Sequence, residues 1–188
     1  MLSTVAIAAI VIVVAVVAVL GYAATRPDTF RVQRTATVKA PAEKIFPLID
    51  DLHAHTTWSP FEKDPNMKRT HSGAARGKGA LYEWEGNRQV GSGRIAITDS
   101  TPSKVTMALD MLKPFEAHNI VEFTLEPNGS STNATTNVTT NVTTNVTWAM
   151  HGRQPFMAKV MSTFINCDKM VGRQFEEGLG KLKALAER

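Results

Sequence analysis

Cysteine is nearly absent: Cys167 is the only one in 188 residues. A single thiol excludes an internal disulfide framework and any zinc site built on cysteine. Aromatics are 7% of the chain, too few for a tryptophan-rich binding module. No run of five basic residues occurs, and 21 Lys+Arg against 17 Asp+Glu leave a net charge of only +4. Scattered charge of that size argues against a nucleic-acid tail. The length allows one domain and little besides.

Charge is missing altogether before Arg26, and from Val5 to Leu20 every residue is Ala, Val, Ile or Leu. Residues 1–25 are long enough to cross a hydrocarbon core of about 30 Å. The segment is apolar all round, which does not suit a core helix with one buried stripe. A cleaved signal peptide is the alternative, and Gly21-Tyr22-Ala23 offers a cleavage site. Against it, no basic side chain precedes the apolar run, and the run is long. The expectation is an uncleaved single-pass anchor in a cell membrane. Arg26, Arg31, Arg34 and Lys39 follow the helix, so the positive-inside rule keeps the domain cytoplasmic. Bacterial anchors of this kind also hold domains outside, so both sides stay open.

Beyond the anchor, residues 26–188 read as one α+β domain. Phe30 to Lys39 is a half-buried strand, with Phe30, Val32, Ala36 and Val38 on one face. Ala42 to Asp50 reads as a short helix that Pro47 shortens or bends, and Asp51 to Thr57 as a second. Met67 to Ser72 is a strand. Ala80–Glu85 and Arg88–Thr98 form a hairpin about Gly86-Asn87. A two-residue turn there sets Tyr82 opposite Gly91 and Trp84 opposite Gln89. Tyr82, Trp84, Ile95 and Ile97 then share one face, and Glu83, Glu85, Arg88 and Arg94 the other. Lys104–Leu112 and Phe115–Glu126 alternate as two more strands.

A tandem repeat follows: Ser131-Thr-Asn-Ala, then three copies of Thr-Thr-Asn-Val ending at Val146. A four-residue unit is even, so copies can be added to a strand without flipping its faces. Val138, Val142, Val146 and Trp148 stay on one side. The last segment carries an apolar stripe from Phe156 through Val160, Phe164, Cys167, Val171 and Phe175 to Ala186, read as one long helix. Gly172, Gly178 and Gly180 within it point to close backbone approach or a bend.

Strand, two short helices, six strands and a long terminal helix is the order of the helix-grip fold. The chain resembles the SRPBCC superfamily, which includes START lipid-transfer domains, birch-pollen-allergen-type proteins and polyketide cyclases. It is most similar to the bacterial polyketide cyclase/dehydrase and lipid transport group. The resemblance rests on Thr25-Arg-Pro-Asp-Thr-Phe30 after an apolar anchor and on Val38-Lys-Ala-Pro-Ala-Glu43-Lys-Ile-Phe46. It continues through Trp58-Ser-Pro-Phe-Glu62, Tyr82-Glu-Trp-Glu-Gly86, Lys113-Pro-Phe-Glu-Ala-His118, Asp168-Lys-Met-Val-Gly172 and Phe175-Glu-Glu-Gly-Leu179. It implies a curved antiparallel sheet gripping the C-terminal helix, with a hydrophobic cavity between them. The inward-facing set fits that picture: Tyr82, Trp84, Met107, Met111, Phe123, Trp148, Met150, Val160 and Phe164, with methionine suited to permissive apolar sites.

Chemical motifs are sparse. His53-Ala54-His55 offers two metal ligands, but no third is spaced to complete a site, so no metal and no cofactor is expected. Gly77-Lys78-Gly79 and Gly91-Ser92-Gly93 do not lead from a strand into a helix, so neither cradles a phosphate. Ser59 lacks the frame of a nucleophile elbow. His118 shares a face with Glu116 and Glu122 and is expected to face water. Cys167, on the stripe, is expected to be buried and inert.

Three functions follow. The first is a membrane-anchored carrier or sensor of a hydrophobic small molecule or lipid, without chemistry. The second is a cyclase or aromatase-like enzyme, which needs inward polar groups; His151, Asn119 and Arg153 are its candidates. The third is a protein-interaction domain like the chaperone-ATPase activators of the superfamily, marked by an exposed apolar patch.

Overall fold

The computed structural model describes residues 3–128 and 142–188. Helix α1 (Thr4–Thr25) starts with the Ser3 hydroxyl accepting from the Ala6 N–H at 3.3 Å. It is long and apolar enough to cross a membrane. Strand β1 (Thr29–Val38) follows, then helices α2 (Ala42–Asp50) and α3 (His55–Trp58). Strands β2 (Lys68–Gly73), β3 (Ala80–Glu85), β4 (Ser92–Thr101), β5 (Lys104–Lys113), β6 (Ala117–Asn128) and β7 (Thr143–Arg153) come next. The chain ends in α4 (Phe156–Phe164) and α5 (Cys167–Ala186). This is the α+β helix-grip order.

The seven strands form one open sheet in the order β1-β7-β6-β5-β4-β3-β2. Every neighbouring pair is antiparallel. Alternation fixes which side is buried. Val32 and Val38 of β1, Val121, Phe123 and Leu125 of β6, and Val146 and Trp148 of β7 all face α5. Thr98 is the extra residue of a bulge between Ile97 and Asp99, and its hydroxyl donates to the Thr106 carbonyl at 3.1 Å. Helix α2 runs through Pro47 to Asp50 and buries Ile45 and Ile49.

The β3–β4 hairpin differs from the expected one. Tyr82 pairs with Ile95 and Trp84 with Gly93, because residues 86–91 form the loop rather than a two-residue turn. The Asn87 side chain accepts from the Gln89 and Val90 N–H groups, which organises this longer loop. The register shifts by an even number, so Tyr82, Trp84, Ile95 and Ile97 still share the inner face. An aromatic does cover a glycine, but it is Trp84 over Gly93. A Cβ on Gly93 would lie 2.7 Å from the indole.

Most of the tandem repeat, Val138 included, lies outside the described residues. Val142 precedes β7 and is 42% exposed, and from Thr143 onward the expected parity holds. Thr144, Val146 and Trp148 are buried. Asn145 and Thr147 form the outer row and bond Thr37 and Thr35 of β1 at 2.8 and 2.9 Å.

The C-terminal stripe is not one helix. Ile165 is extended, and the Asn166 side chain accepts from the Lys169 N–H to start α5 afresh, with Asp168 in its first turn. The break turns α4 away from the sheet. As a result Phe164 and Cys167 are exposed, contrary to the core positions their spacing predicts.

Two contacts seat α5 on the sheet. Arg34 lies in the inner row of β1, where its guanidinium bonds Glu176 at 2.8 Å and Asp168 at 3.1 Å. These partners raise the Arg34 pKa and lower that of Asp168. Gly172 makes room, since a Cβ there would fall 1.9 Å from the Arg34 Nη2. Farther along, Gly178 lets the helix reach Trp148 and Pro60, at 2.7 and 2.9 Å from a built Cβ. Gly180 meets nothing within 4 Å. Gly178→Ala is therefore expected to destabilise by about 2 kcal/mol through overpacking against two rigid rings. Gly180→Ala should instead stabilise by about 1 kcal/mol through helix propensity alone. The denaturant midpoints of the two variants, followed by tryptophan fluorescence, should move in opposite directions.

Candidate ligand-binding site

Between the inner face of the sheet and α5 lies a cavity of about 310 Å³. Four strands meet along one row where Trp84 pairs with Gly93, Gly93 with Met111, and Met111 with Ala117. A second row runs from Met107 through Val121 to Met150. Both rows lie toward the end of the sheet where β1 receives the chain from α1. The opposite end is packed solid by Val38, Ile45, Leu125, Val146 and Leu182, all no more than 1% exposed. The cavity thus sits in the half of the grip nearest α1.

Tyr82, Trp84, Met107, Met111, Phe123, Trp148 and Met150 line it. Phe61, Leu109, Val121 and Phe175 also line it, as do Trp58, Met67, Val90 and Ile95. Trp148 stacks on Phe175 with centroids 4.2 Å apart and planes 8° from parallel. Trp58 meets the Trp148 ring edge-on at 5.6 Å, and its Nε1 donates to the Leu48 carbonyl at 2.8 Å. Val160 and Phe164 do not reach the cavity. They belong to α4, which the break at Ile165 sets apart, and Phe164 is 72% exposed.

One end of the cavity is polar. The Tyr82 hydroxyl donates to Glu62 Oε1 at 2.8 Å, and Arg69 bonds Glu62 Oε2 at 2.7 Å. Burial, then Glu62, push the Tyr82 hydroxyl well above the ordinary phenol range. It stays protonated, so it donates to Glu62. Glu62 and Arg69 come from different segments, and no spacing rule pairs them. Only Glu62 was marked in the sequence, at the end of Trp58-Ser-Pro-Phe-Glu62.

The three polar candidates lie elsewhere. His151 is on the outer face of β7, with Nδ1 3.8 Å from Glu122. Arg153 is beside it, in a shallow outer groove shared with Arg31 and His118. His118 bonds Asp110 at 2.7 Å, facing outward as expected. Asn119 is on the inner face but lies over Gly152, where its Oδ1 would be 2.2 Å from a Cβ. None of the three lines the cavity.

The paired histidines split. His53 is exposed, bonds Asp51 at 3.1 Å and stacks on His71 at 3.9 Å. His55 is buried against the cavity wall, with Nε2–H donating to the Ile49 carbonyl at 2.8 Å. Among the described residues, no three His, Cys, Asp or Glu side chains gather as a metal site.

Residues 29–187 match the family model for polyketide cyclase / dehydrase and lipid transport. The chain belongs to that family. Its fold is shared with solved structures. CV1439 from Chromobacterium violaceum is similar at TM-score 0.54 and 16% identity, over 87% of this chain and 99% of that one. Major latex-like protein 151 from Panax ginseng is similar at TM-score 0.56 and 10% identity, over 84% and 97%. DynU16, a protein of the dynemicin biosynthetic locus, is similar at TM-score 0.53 and 14% identity, over 86% and 48%. At these identities the likeness is one of fold. No curated protein matches the chain significantly. In this member of the polyketide cyclase / dehydrase and lipid transport family, the cavity is mainly apolar, with the hydrogen-bonded Tyr82–Glu62 pair in its wall.

Burial pushes the His55 imidazole down to about 4 from 6.5. The folded state holds it neutral, while the unfolded chain takes up a proton near 6.5. Its share of stability is therefore full above about pH 6.5 and falls as pH drops toward about 4. At pH 5 the loss should be about 2 kcal/mol. The denaturation midpoint of the wild type should fall between pH 7.5 and pH 5, and that of His55→Gln should fall distinctly less.

Proposed function

We propose that the domain binds a hydrophobic small molecule or lipid in this cavity while α1 holds it at a membrane, and that binding needs no catalysis. The observation that carries the reading is the cavity itself: an apolar, aromatic and methionine-rich chamber with one polar end. Its volume lies at the small end of the range for ligand pockets, roughly 300–1,000 Å³. Tyr82, Trp84, Met107, Met111, Phe123, Trp148 and Met150 are its proposed binding residues. The polar end favours a molecule with a hydroxyl or carbonyl at one terminus. That group would bond Glu62, which Arg69 holds from behind, and the apolar body would lie along Met107 and Phe123.

The second reading, a cyclase-like enzyme, draws support from the same cluster. A carboxylate next to a phenol and a guanidinium at a cavity wall could move a proton on a bound polyketide-like chain. Here Glu62, rather than His151, Asn119 or Arg153, is the residue to replace.

The test is the full chain purified in detergent, extracted with organic solvent and analysed by mass spectrometry. Leu109→Trp is the comparison, since an indole at this lining position would fill the chamber. The wild type should release a molecule in near-stoichiometric amount that is missing from Leu109→Trp at equal folding. If the two extracts are identical, and no lipid or aromatic compound of a panel stabilises the wild type, the binding reading falls. If the bound molecule instead changes chemically over time and Glu62→Gln stops the change, the enzyme reading replaces it.

A further inference from the structure

Helix α4 is amphipathic in the wrong sense for water. Phe156, Met157, Met161 and Phe164 are 46%, 69%, 54% and 72% exposed. Its covered side holds Lys159, only 6% exposed, with Ser162 and Thr163 half-buried. Lys159 is paired with Asp28, and Ser162 accepts from the Gln154 amide at 3.0 Å. A soluble surface helix puts its apolar stripe inward and its lysine outward. This one does the reverse, which suits an outer face in contact with something apolar.

Its neighbour indicates what that is. Helix α4 packs on α1. On α1, Val19 and Arg26 are half-buried and Ala23 is fully buried, one stripe at helical spacing over the last two turns. The apolar face of α4 therefore stands beside the point where a membrane-crossing helix meets its domain. The sheet register adds a second apolar element at this level. Thr29 pairs with Arg153 and Met111 with Ala117, so the β5–β6 turn lies at the same end as the start of β1. Leu112 and Phe115 in that region are 52% and 80% exposed. Arg153 and Lys113, both exposed, stand at this end, as a bilayer with anionic headgroups would favour.

We infer that α4, with the Phe115 turn, lies in the headgroup–acyl boundary of the bilayer that α1 spans, and that this surface leads to the cavity. The inference rests on the membrane reading of α1 given above. A shallow groove at the α4–α5 elbow is lined by Phe164, Ile165 and Met170. It shares Lys63 and Gln174 with the cavity wall. The Lys63 ammonium donates to Gln174 Oε1 at 3.3 Å, one exposed bond between the two spaces. A lipid leaving the acyl region beside Phe164 would pass the polar groove side chains Lys169, Arg173 and Glu177 and the Lys63–Gln174 pair before the aromatic chamber.

The test uses the full chain, with Cys167→Ser, in vesicles of phosphatidylcholine with a minority of phosphatidylglycerol. Single cysteines are introduced by Val13→Cys, Met157→Cys, Met161→Cys and Ser103→Cys and given nitroxide labels. Collision rates with oxygen, which concentrates in lipid, are compared with those of a water-soluble nickel chelate. Position 13 reports on α1. Position 103 is on the β4–β5 turn at the far end of the sheet. The expected result is oxygen exceeding nickel at 13, 157 and 161, with the ratio reversed at 103. Positions 157 and 161 behaving like 103 while 13 stays in lipid would overturn the docking and leave the anchor intact. Positions 157 and 161 shielded from both reagents would overturn it in favour of a second copy or another protein. Nickel exceeding oxygen at 13 would overturn the anchor and the docking together, while ligand retention in detergent would still stand or fall separately.

Discussion

The stack of Trp148 on Phe175 is the joint between floor and roof. It joins β7, the neighbour of edge strand β1, to the long helix, and the rest of the domain divides around it. On the far side, aliphatic side chains from α2, β6, β7 and α5 interlock without a gap. On the near side the helix is held off the sheet by the thickness of two stacked aromatic rings. Arg34 then pins the start of α5 to the edge strand, so the roof cannot settle into the space. Each anchoring contact relies on a missing side chain in the helix: Gly172 under the guanidinium and Gly178 beside the indole.

A chamber kept open this way forfeits contacts. Protein interiors are normally packed as densely as molecular crystals, and wall atoms without partners lose dispersion energy. A guest that fills the space restores those contacts and stabilises the folded state by mass action. The lining is suited to guests of variable shape. Met107, Met111 and Met150 can adjust, whereas Trp58, Trp84 and Trp148 fix the outline. Specificity then falls to the small polar end, where Glu62 is already engaged by two donors and offers only its remaining lone pairs.

Much of this could be read along the chain, because burial on one face leaves a period-two signal. The strands of the sheet, and the seven lining residues that they supply, follow from that alternation. The β3–β4 pairing did not, since Gly86-Asn87 has the composition of a tight turn and nothing nearby announces that Asn87 organises a longer loop. The break after Phe164 was hidden for a different reason. Apolar steps of three and four run straight across Ile165, and periodicity records side chains while the interruption is in the backbone. Asn166 followed by Asp168 was the available sign, a capping residue and a first-turn acid inside an apparent helix. Arg34 falls at an inward position of an alternating strand, and the partners that explain it are more than a hundred residues away. The Glu62–Arg69–Tyr82 cluster is likewise assembled only by tertiary structure.

The carboxylate of Asp28 is tied to Lys159, and its carbonyl accepts from the Gln154 N–H at 2.7 Å. Because α1 ends at Thr25, only Arg26 and Pro27 separate the helix from a fixed point on the domain. Two residues span at most about 7 Å. With α1 across a bilayer, the domain has no tether to swing on and cannot travel to a second membrane while its first one holds it. A carrier built so works as a fixed mooring rather than a ferry. On the proposed reading, a bound molecule would move on only when a recipient comes alongside, at a rate set by how often that recipient arrives.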